Sequence, residues 1–268
     1  MQGSTASTGD HAFERLALIA SSTPRAQEAA AALRGTGEWV DLAECEALVV
    51  LGGDGTMLDA MHRMIDEGLE RPAYGLNVGT VGFLMNRYHR QVRLRERLAQ
   101  ARPIAVAPLC MDAVTQSGEE HSFYAVNEVS LLRETRQTAK LEISVNGRVR
   151  IPELACDGVL LSTPVGSTAY NLSANGPILP LDSQMLALTP ISPFRPRRWK
   201  GAILPDRSDV TFRVLEADKR PVAAVADQRE VRNIAEVRLA IARERQLTLL
   251  FDPGHALDER IVAEQFAH

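Results

Sequence analysis

Residues 46–68 read EALVVLGGDGTMLDAMHRMIDEG. The apolar run Glu46–Gly53 predicts a buried strand. The apolar residues of Thr56–Gly68 recur at helical spacing, and Gly68 can end that helix. Between them lies Gly52-Gly53-Asp54-Gly55-Thr56, a strand-to-helix turn. The same alternation continues on both sides. LALIAS (Leu16–Ser21) and PAYGLNVG (Pro72–Gly79) read as strands, while Pro24–Gly37 and Arg90–Gln100 read as helices. Strands alternating with helices predict a parallel sheet covered by helices.

After Pro103 the rhythm changes. IAVAPLCMDAV, HSFYAVNEVSLL, KLEISVNGRVR, GVLLSTP, DVTFRVL, PVAAVAD and EVRLAIA are short β-rich runs. Asn146-Gly147 between alternating strands is a hairpin signal. The expected division is an α/β domain over 1–103 and a β-rich domain over 104–246. A final segment, 247–268, is expected to pack back on the first domain.

The chain has 268 residues, 30 basic and 34 acidic, for a net charge of −4. That balance does not suit a general nucleic-acid binder. No apolar run reaches the roughly 18 residues of a membrane span. Cys45, Cys110 and Cys156 are scattered, and so are the six histidines. Free thiols in a reducing compartment are expected, with neither a disulfide framework nor a zinc site. The expected setting is cytoplasmic.

Four stretches carry chemistry. In GGDGT, backbone N–H groups at a helix start favour anions, and Asp54 can accept a proton from a hydroxyl. That pairing suits phosphoryl transfer to an alcohol. The structural alternative makes Asp54 the helix cap. The turn lacks the Lys-Ser/Thr pair of a P-loop and the G-x-G-x-x-G dinucleotide fingerprint. GLNVGTVGFLMN (Gly75–Asn86) is a second glycine-rich loop, with Phe83 available to stack or to pack. In AVNEVSLL, Asn127-Glu128 interrupts an apolar run. Adjacent strand residues face opposite ways, so both reach one ligand only at a bulge or a strand end. DGVLLSTPVGSTAYNLSANGPILP (Asp157–Pro180) crowds hydroxyls and amides beside an apolar strand. They satisfy one another in a turn, or they bind a sugar and a polar base.

Together these stretches resemble the NAD kinases in their bacterial form. GGDGT alone is shared with lipid kinases, whereas the GSTAY segment is far more specific. LTPISPFRPRRWKGAILP (Leu188–Pro205) resembles the alphaproteobacterial version. The resemblance implies a Rossmann-like parallel-sheet N-terminal domain and a β-sandwich-like C-terminal domain. It implies phosphorylation of the 2′-hydroxyl of the adenosine ribose of NAD, with ATP as donor and a divalent ion, expected as Mg2+. Asp54 resembles the family's proton acceptor, and Gly55 would lie against the substrate. Phe83 matches an aromatic near the adenine. Asn127 and Glu128 match the pair on the ribose and nicotinamide side, and Asp157 a substrate-contacting carboxylate. Thr168, Ala169, Tyr170, Asn171, Leu172 and Ser173 match the run around adenine and ribose.

The chain departs from the family pattern in three places. Val165 stands where Thr or Ala is common, and Ala155 where many members have Arg. In VADQREV (Val225–Val231), Gln228 occupies a variable contact position. The resemblance also implies a homodimer or homotetramer. The rival readings are a lipid kinase sharing GGDGT and an NADP(H)-binding sensor without catalysis.

Overall fold

The computed structural model describes residues 13–79, 82–89 and 93–254. Among these, residues up to Ala105 and from Thr248 onward form one compact unit, and Val106–Leu247 another.

In the first unit, β1 (Leu16–Ala20), α1 (Pro24–Arg34), β2 (Ala47–Gly52), α2 (Asp54–Glu67) and β3 (Ala73–Asn77) alternate as expected. β4 (Asn86–Arg87), α3 (Leu94–Gln100) and β5 (Arg102–Val106) follow. All six residues of β2 are buried, which is why its sequence is a continuous apolar run rather than an alternating one. Thr23 caps α1, accepting the Ala26 N–H through its hydroxyl. α2 buries Met57, Leu58, Ala60, Met61, Met64 and Ile65, and Gly68 closes it in the left-handed conformation at φ 65°.

The second unit holds β6 (Leu109–Thr115), β7 (Glu120–Ala125), β8 (Glu128–Arg133), β9 (Ala139–Val145), β10 (Arg148–Cys156) and β11 (Gly158–Ser162). A 3-10 turn over Val165–Thr168 leads into the short α4 (Tyr170–Ser173). Then come β12 (Met185–Ile191), β13 (Ala202–Pro205), β14 (Val210–Val214), β15 (Val222–Ala226), β16 (Arg229–Val231) and β17 (Ile234–Ile241). β18 (Leu247–Phe251) returns to the first unit's sheet, where Leu249 pairs with Ala73.

That first sheet runs β1-β2-β3-β18-β5, with β4 beside β3. β1, β2 and β3 pair in parallel, in the register Val49 to Tyr74. Asp252, just past β18, gathers three elements. It accepts the Tyr74 hydroxyl at 2.6 Å and pairs with Arg97 of α3. Its backbone N–H donates to Asn86 Oδ1 at 2.9 Å. Burial and the Asp252 carboxylate hold the Tyr74 hydroxyl well above its ordinary pKa, so it stays a donor.

The second unit is two antiparallel sheets, β10-β9-β14-β17-β6-β7 and β13-β12-β11-β8-β15-β16. One core joins Leu141, Ile143, Phe212 and Val237 of the first to Leu131, Val159, Leu161 and Ala224 of the second. This is face-to-face sheet packing. β9 shows the cause, with Ala139, Leu141, Ile143 and Val145 buried and the residues between them partly exposed. Asn146 and Gly147 both have positive φ, 52° and 71°, the type I′ requirement read from the sequence. Cys45, Cys110 and Cys156 are free thiols.

Three runs break where the sequence reading joined them or started late. IAVAPLCMDAV divides at Ala107-Pro108 into β5 and β6, which belong to different sheets. HSFYAVNEVSLL divides at Val126-Asn127 into β7 and β8, again in different sheets. α2 begins at Asp54 rather than Thr56. Among the described residues, no helix is long and apolar enough to cross a membrane.

Candidate functional site

Asp54 is the first residue of α2, and Gly53 holds the cap position with extended backbone. The cap residue is therefore Gly53 and not Asp54. The Asp54 side chain reaches the second glycine-rich loop: Oδ2 accepts the Phe83 N–H at 2.7 Å and Oδ1 the Leu84 N–H at 2.9 Å. Gly82 makes this possible, because a Cβ there would lie 2.5 Å from Asp54 Oδ1. At Gly55 nothing among the described residues lies within 4 Å of the Cβ position. The turn thus combines an oriented carboxylate, helix N–H groups and open space at a strand's carboxyl end.

In the second unit, Asn127 and Glu128 stand at the beginning of β8. The N–H groups of Val126, Asn127 and Glu128 converge on Asp227, at 2.6, 3.0 and 3.1 Å. Asp227 has φ 51° and donates its own N–H to the Glu128 carbonyl at 3.1 Å. Three successive N–H groups turned to one carboxylate are a nest, not a ladder. This is the strand end that the adjacent pair Asn127-Glu128 required. From the other side, Thr163 donates its N–H to the Asn127 carbonyl at 2.9 Å. A Cβ on Gly166 would lie 2.2 Å from that same oxygen.

Glu128 is mostly buried, and its Oε2 makes no hydrogen bond among the described residues. Burial first, and the Asp227 carboxylate second, push its pKa up to about 8. Burial also raises the Tyr170 phenol, with Glu128 and Asp157 adding to the shift. Tyr170 is therefore within electrostatic reach of both carboxyls.

Asp157 precedes β11, and its Oδ1 accepts Arg133 Nε at 2.6 Å. Glu128 pairs with Ser162, whereas Leu132 pairs with Gly158. Glu128 and Asp157 are thus at opposite ends of one strand pair, separated by roughly 16 Å of strand. The two carboxyls do not converge on one atom.

The polar crowd of Asp157–Pro180 divides in two. Ser167 donates its hydroxyl to the Pro164 carbonyl at 2.7 Å and accepts the Leu179 N–H at 3.0 Å. Asn171 is fully buried. It donates to the Ser167 and Pro177 carbonyls at 3.2 and 2.8 Å and accepts the Thr189 hydroxyl at 2.7 Å. Its side chain is a strut of the loop. Val165 is buried as well. Thr168, Tyr170 and Ser173 are not fully buried, and none of their hydroxyls bonds to a described residue. Ala169 and Leu172 are partly exposed beside them. Gln228 is exposed in the β15–β16 turn.

The sequence reading missed Arg133 and Asp227. For Asp227 the signal was an Asp directly after an apolar run, a residue type enriched at positive φ. For Arg133 the chain offered only a cation at the end of a strand.

Residues 8–101 match the ATP-NAD kinase N-terminal domain and residues 126–248 the ATP-NAD kinase C-terminal domain. The chain is 61% identical to the NAD kinase of Rhizorhabdus wittichii over 254 residues, covering 95% of this chain and 98% of that protein. It is 59% identical to the NAD kinase of Zymomonas mobilis, with the same coverage. Among solved structures, yeast NADH kinase complexed with NADH superposes with a TM-score of 0.80 at 20% identity, over 95% of this chain and 87% of that one. An Archaeoglobus fulgidus NAD kinase in complex with ATP gives 0.74 at 21%, over 93% and 98%.

Proposed function

The chain belongs to the NAD kinase family, and from that premise we propose that Asp54 is the base that activates the 2′-hydroxyl of the adenosine ribose of NAD. The 2′ oxygen attacks the γ-phosphorus of ATP. The new bond is O2′–P, the bond from the γ-phosphorus to the β,γ-bridging oxygen breaks, the hydroxyl proton passes to Asp54, and ADP leaves. Family membership removes the lipid-kinase and non-catalytic readings of GGDGT.

One observation carries the Asp54 assignment. Both of its oxygens are fixed by backbone N–H groups, at 2.7 and 2.9 Å, and Gly53, not Asp54, holds the cap position of the helix. Gly55 is the open position beside it, and Phe83, whose N–H it holds, is the proposed adenine neighbour.

The proposed NAD contacts in the second unit are Asn127, Glu128, Asp157, Thr168, Tyr170 and Ser173 by side chain. Val165, Ala169, Asn171 and Leu172 would act through backbone or shape, and Gln228 from its turn. Glu128 with a pKa near 8 donates a proton to a hydrogen bond at neutral pH, where an ordinary glutamate only accepts.

ATP brings the divalent ion, expected as magnesium, which neutralises phosphate charge. Such an ion takes one or two carboxylates besides phosphate oxygens and water. We further propose a homo-oligomer.

The test is Asp54→Asn, assayed for NADP formation with NAD binding followed by thermal shift. Turnover should fall about 10²–10⁴-fold. Because both oxygens accept N–H groups, the amide of Asn must face one donor with another. Some loss of NAD affinity is therefore expected along with the loss of turnover. Retention of half the wild-type rate at saturating substrates would remove Asp54 from the base role.

A further inference from the structure

Asp157 is a proposed contact for an anionic dinucleotide, yet it is itself an anion. Unpaired, it would repel the phosphates of the molecule it serves. β10 brings no cation to the position two residues before it, where Ala155 is buried. The compensating charge comes from the neighbouring strand. Arg133 ends β8, next to Leu132, which pairs with Gly158 of β11. Its backbone N–H donates to the Asp157 carbonyl at 3.0 Å, and its Nε donates to Asp157 Oδ1 at 2.6 Å. Main chain and side chain of one residue therefore grip main chain and side chain of the other.

The guanidinium is fixed from a second direction, since Arg133 Nη1 donates to the Thr135 carbonyl. Its Nη2 has no hydrogen-bond partner among the described residues. The two side chains are partly exposed, 34% for Arg133 and 40% for Asp157. The pair is open to a ligand on one side and anchored on the other. A planar fork held at two points suits this task better than a lysine point charge.

We propose that Arg133 is a positioning residue for NAD: it orients Asp157 and cancels its charge, so that the carboxylate binds NAD hydroxyls without repelling NAD phosphates. The proposal rests on the reading of Asp157 as an NAD contact.

The experiment is steady-state kinetics on Arg133→Ala, Arg133→Lys, Asp157→Asn and the double variant Arg133→Ala/Asp157→Asn. In Arg133→Ala, KM for NAD should rise roughly three- to tenfold, a figure discounted for partial exposure. KM for ATP should hold, and kcat should change less than twofold. The rise should shrink at high salt, because it comes from exposed charge repulsion. A merely structural loss would not respond to salt in this way. Arg133→Lys should recover most of the charge effect but not the orientation, giving an intermediate KM.

In the Asp157→Asn background the Arg133→Ala effect should largely vanish, since the charge to be cancelled is gone. Equal Arg133→Ala losses in both backgrounds would overturn the proposal while leaving Asp157 as a contact. An unchanged KM for NAD in Asp157→Asn alone would overturn the Asp157 reading, and the role of Arg133 with it. Parallel loss of ATP affinity and melting temperature in Arg133→Lys would overturn the proposal in favour of a fold role.

Discussion

Asp54 answers the question that its neighbours raise, because a carboxylate between glycines needs donors. The chain supplies them from the loop after β3, through the N–H groups of Phe83 and Leu84. The sequence offered two roles for Asp54, base and helix cap, and the structure removes the cap by giving that position to Gly53. A testable consequence falls on Gly82. Gly82→Ala would put a methyl 2.5 Å from Asp54 Oδ1, well inside contact distance. The carboxylate must turn or the loop must move, and reacting groups displaced by about 1 Å lose roughly 10²-fold. NADP formation by Gly82→Ala should fall on that scale while circular dichroism stays native; wild-type turnover would detach the loop from the chemistry. Asn171 was less legible. Its residue type and neighbours fit a ligand contact, yet the nearby Gly176 and Thr189 of the next strand, eighteen positions on, close around its side chain. One-dimensional spacing carries no record of such closure.

At the scale of elements, local periodicity carried most of the reading. β1, β2, β3 and α2 lie within two residues of the expected spans and α1 within three, and the Asn146-Gly147 hairpin is where its dipeptide put it. Failures came where two strands follow each other with no Gly or Pro-Gly signal between them. Val126-Asn127 changes sheets without a turn dipeptide, because Asp227, one hundred positions away from Asn127, accepts the N–H groups that a ladder would otherwise take. The same junction sets a pH dependence. Glu128 has an ordinary value of 4.5 and is raised to about 8 by burial and by Asp227, with Tyr170 the other titratable neighbour. The native state then keeps a proton that the unfolded chain releases. Its stabilising effect is complete below about pH 4.5 and is lost as pH rises through 8. Glu128→Gln, neutral at every pH, should flatten the fall in melting temperature between pH 5 and 8 and raise it by a few degrees at pH 8. An unchanged slope would mean that Glu128 is ionised throughout.

For the whole molecule, the change from helix–strand alternation to short β runs was enough to give a parallel-sheet unit and a sandwich. What the sequence did not specify is how the last described strand inserts between β3 and β5, since nothing local to LTLLF names its neighbours. Asp252 secures that return through Tyr74 and Arg97, both largely buried with it. Asp252→Ala strands a guanidinium and a phenol, at a cost on the order of 3 kcal/mol. The melting temperature should drop on the order of 5–10 °C, and a drop under 1 °C would show that β18 is held by its ladder alone. Phosphorylation of the 2′-hydroxyl with Asp54 as base is checked by incubating purified protein with NAD, ATP and magnesium and taking phosphorus NMR spectra of the dinucleotide product. A new monoester resonance coupled to the 2′ carbon position of the adenosine ribose is expected, formed at the wild-type rate and about 10²–10⁴-fold more slowly by Asp54→Asn. A phosphate at any other hydroxyl, or equal rates from the two proteins, would contradict that assignment.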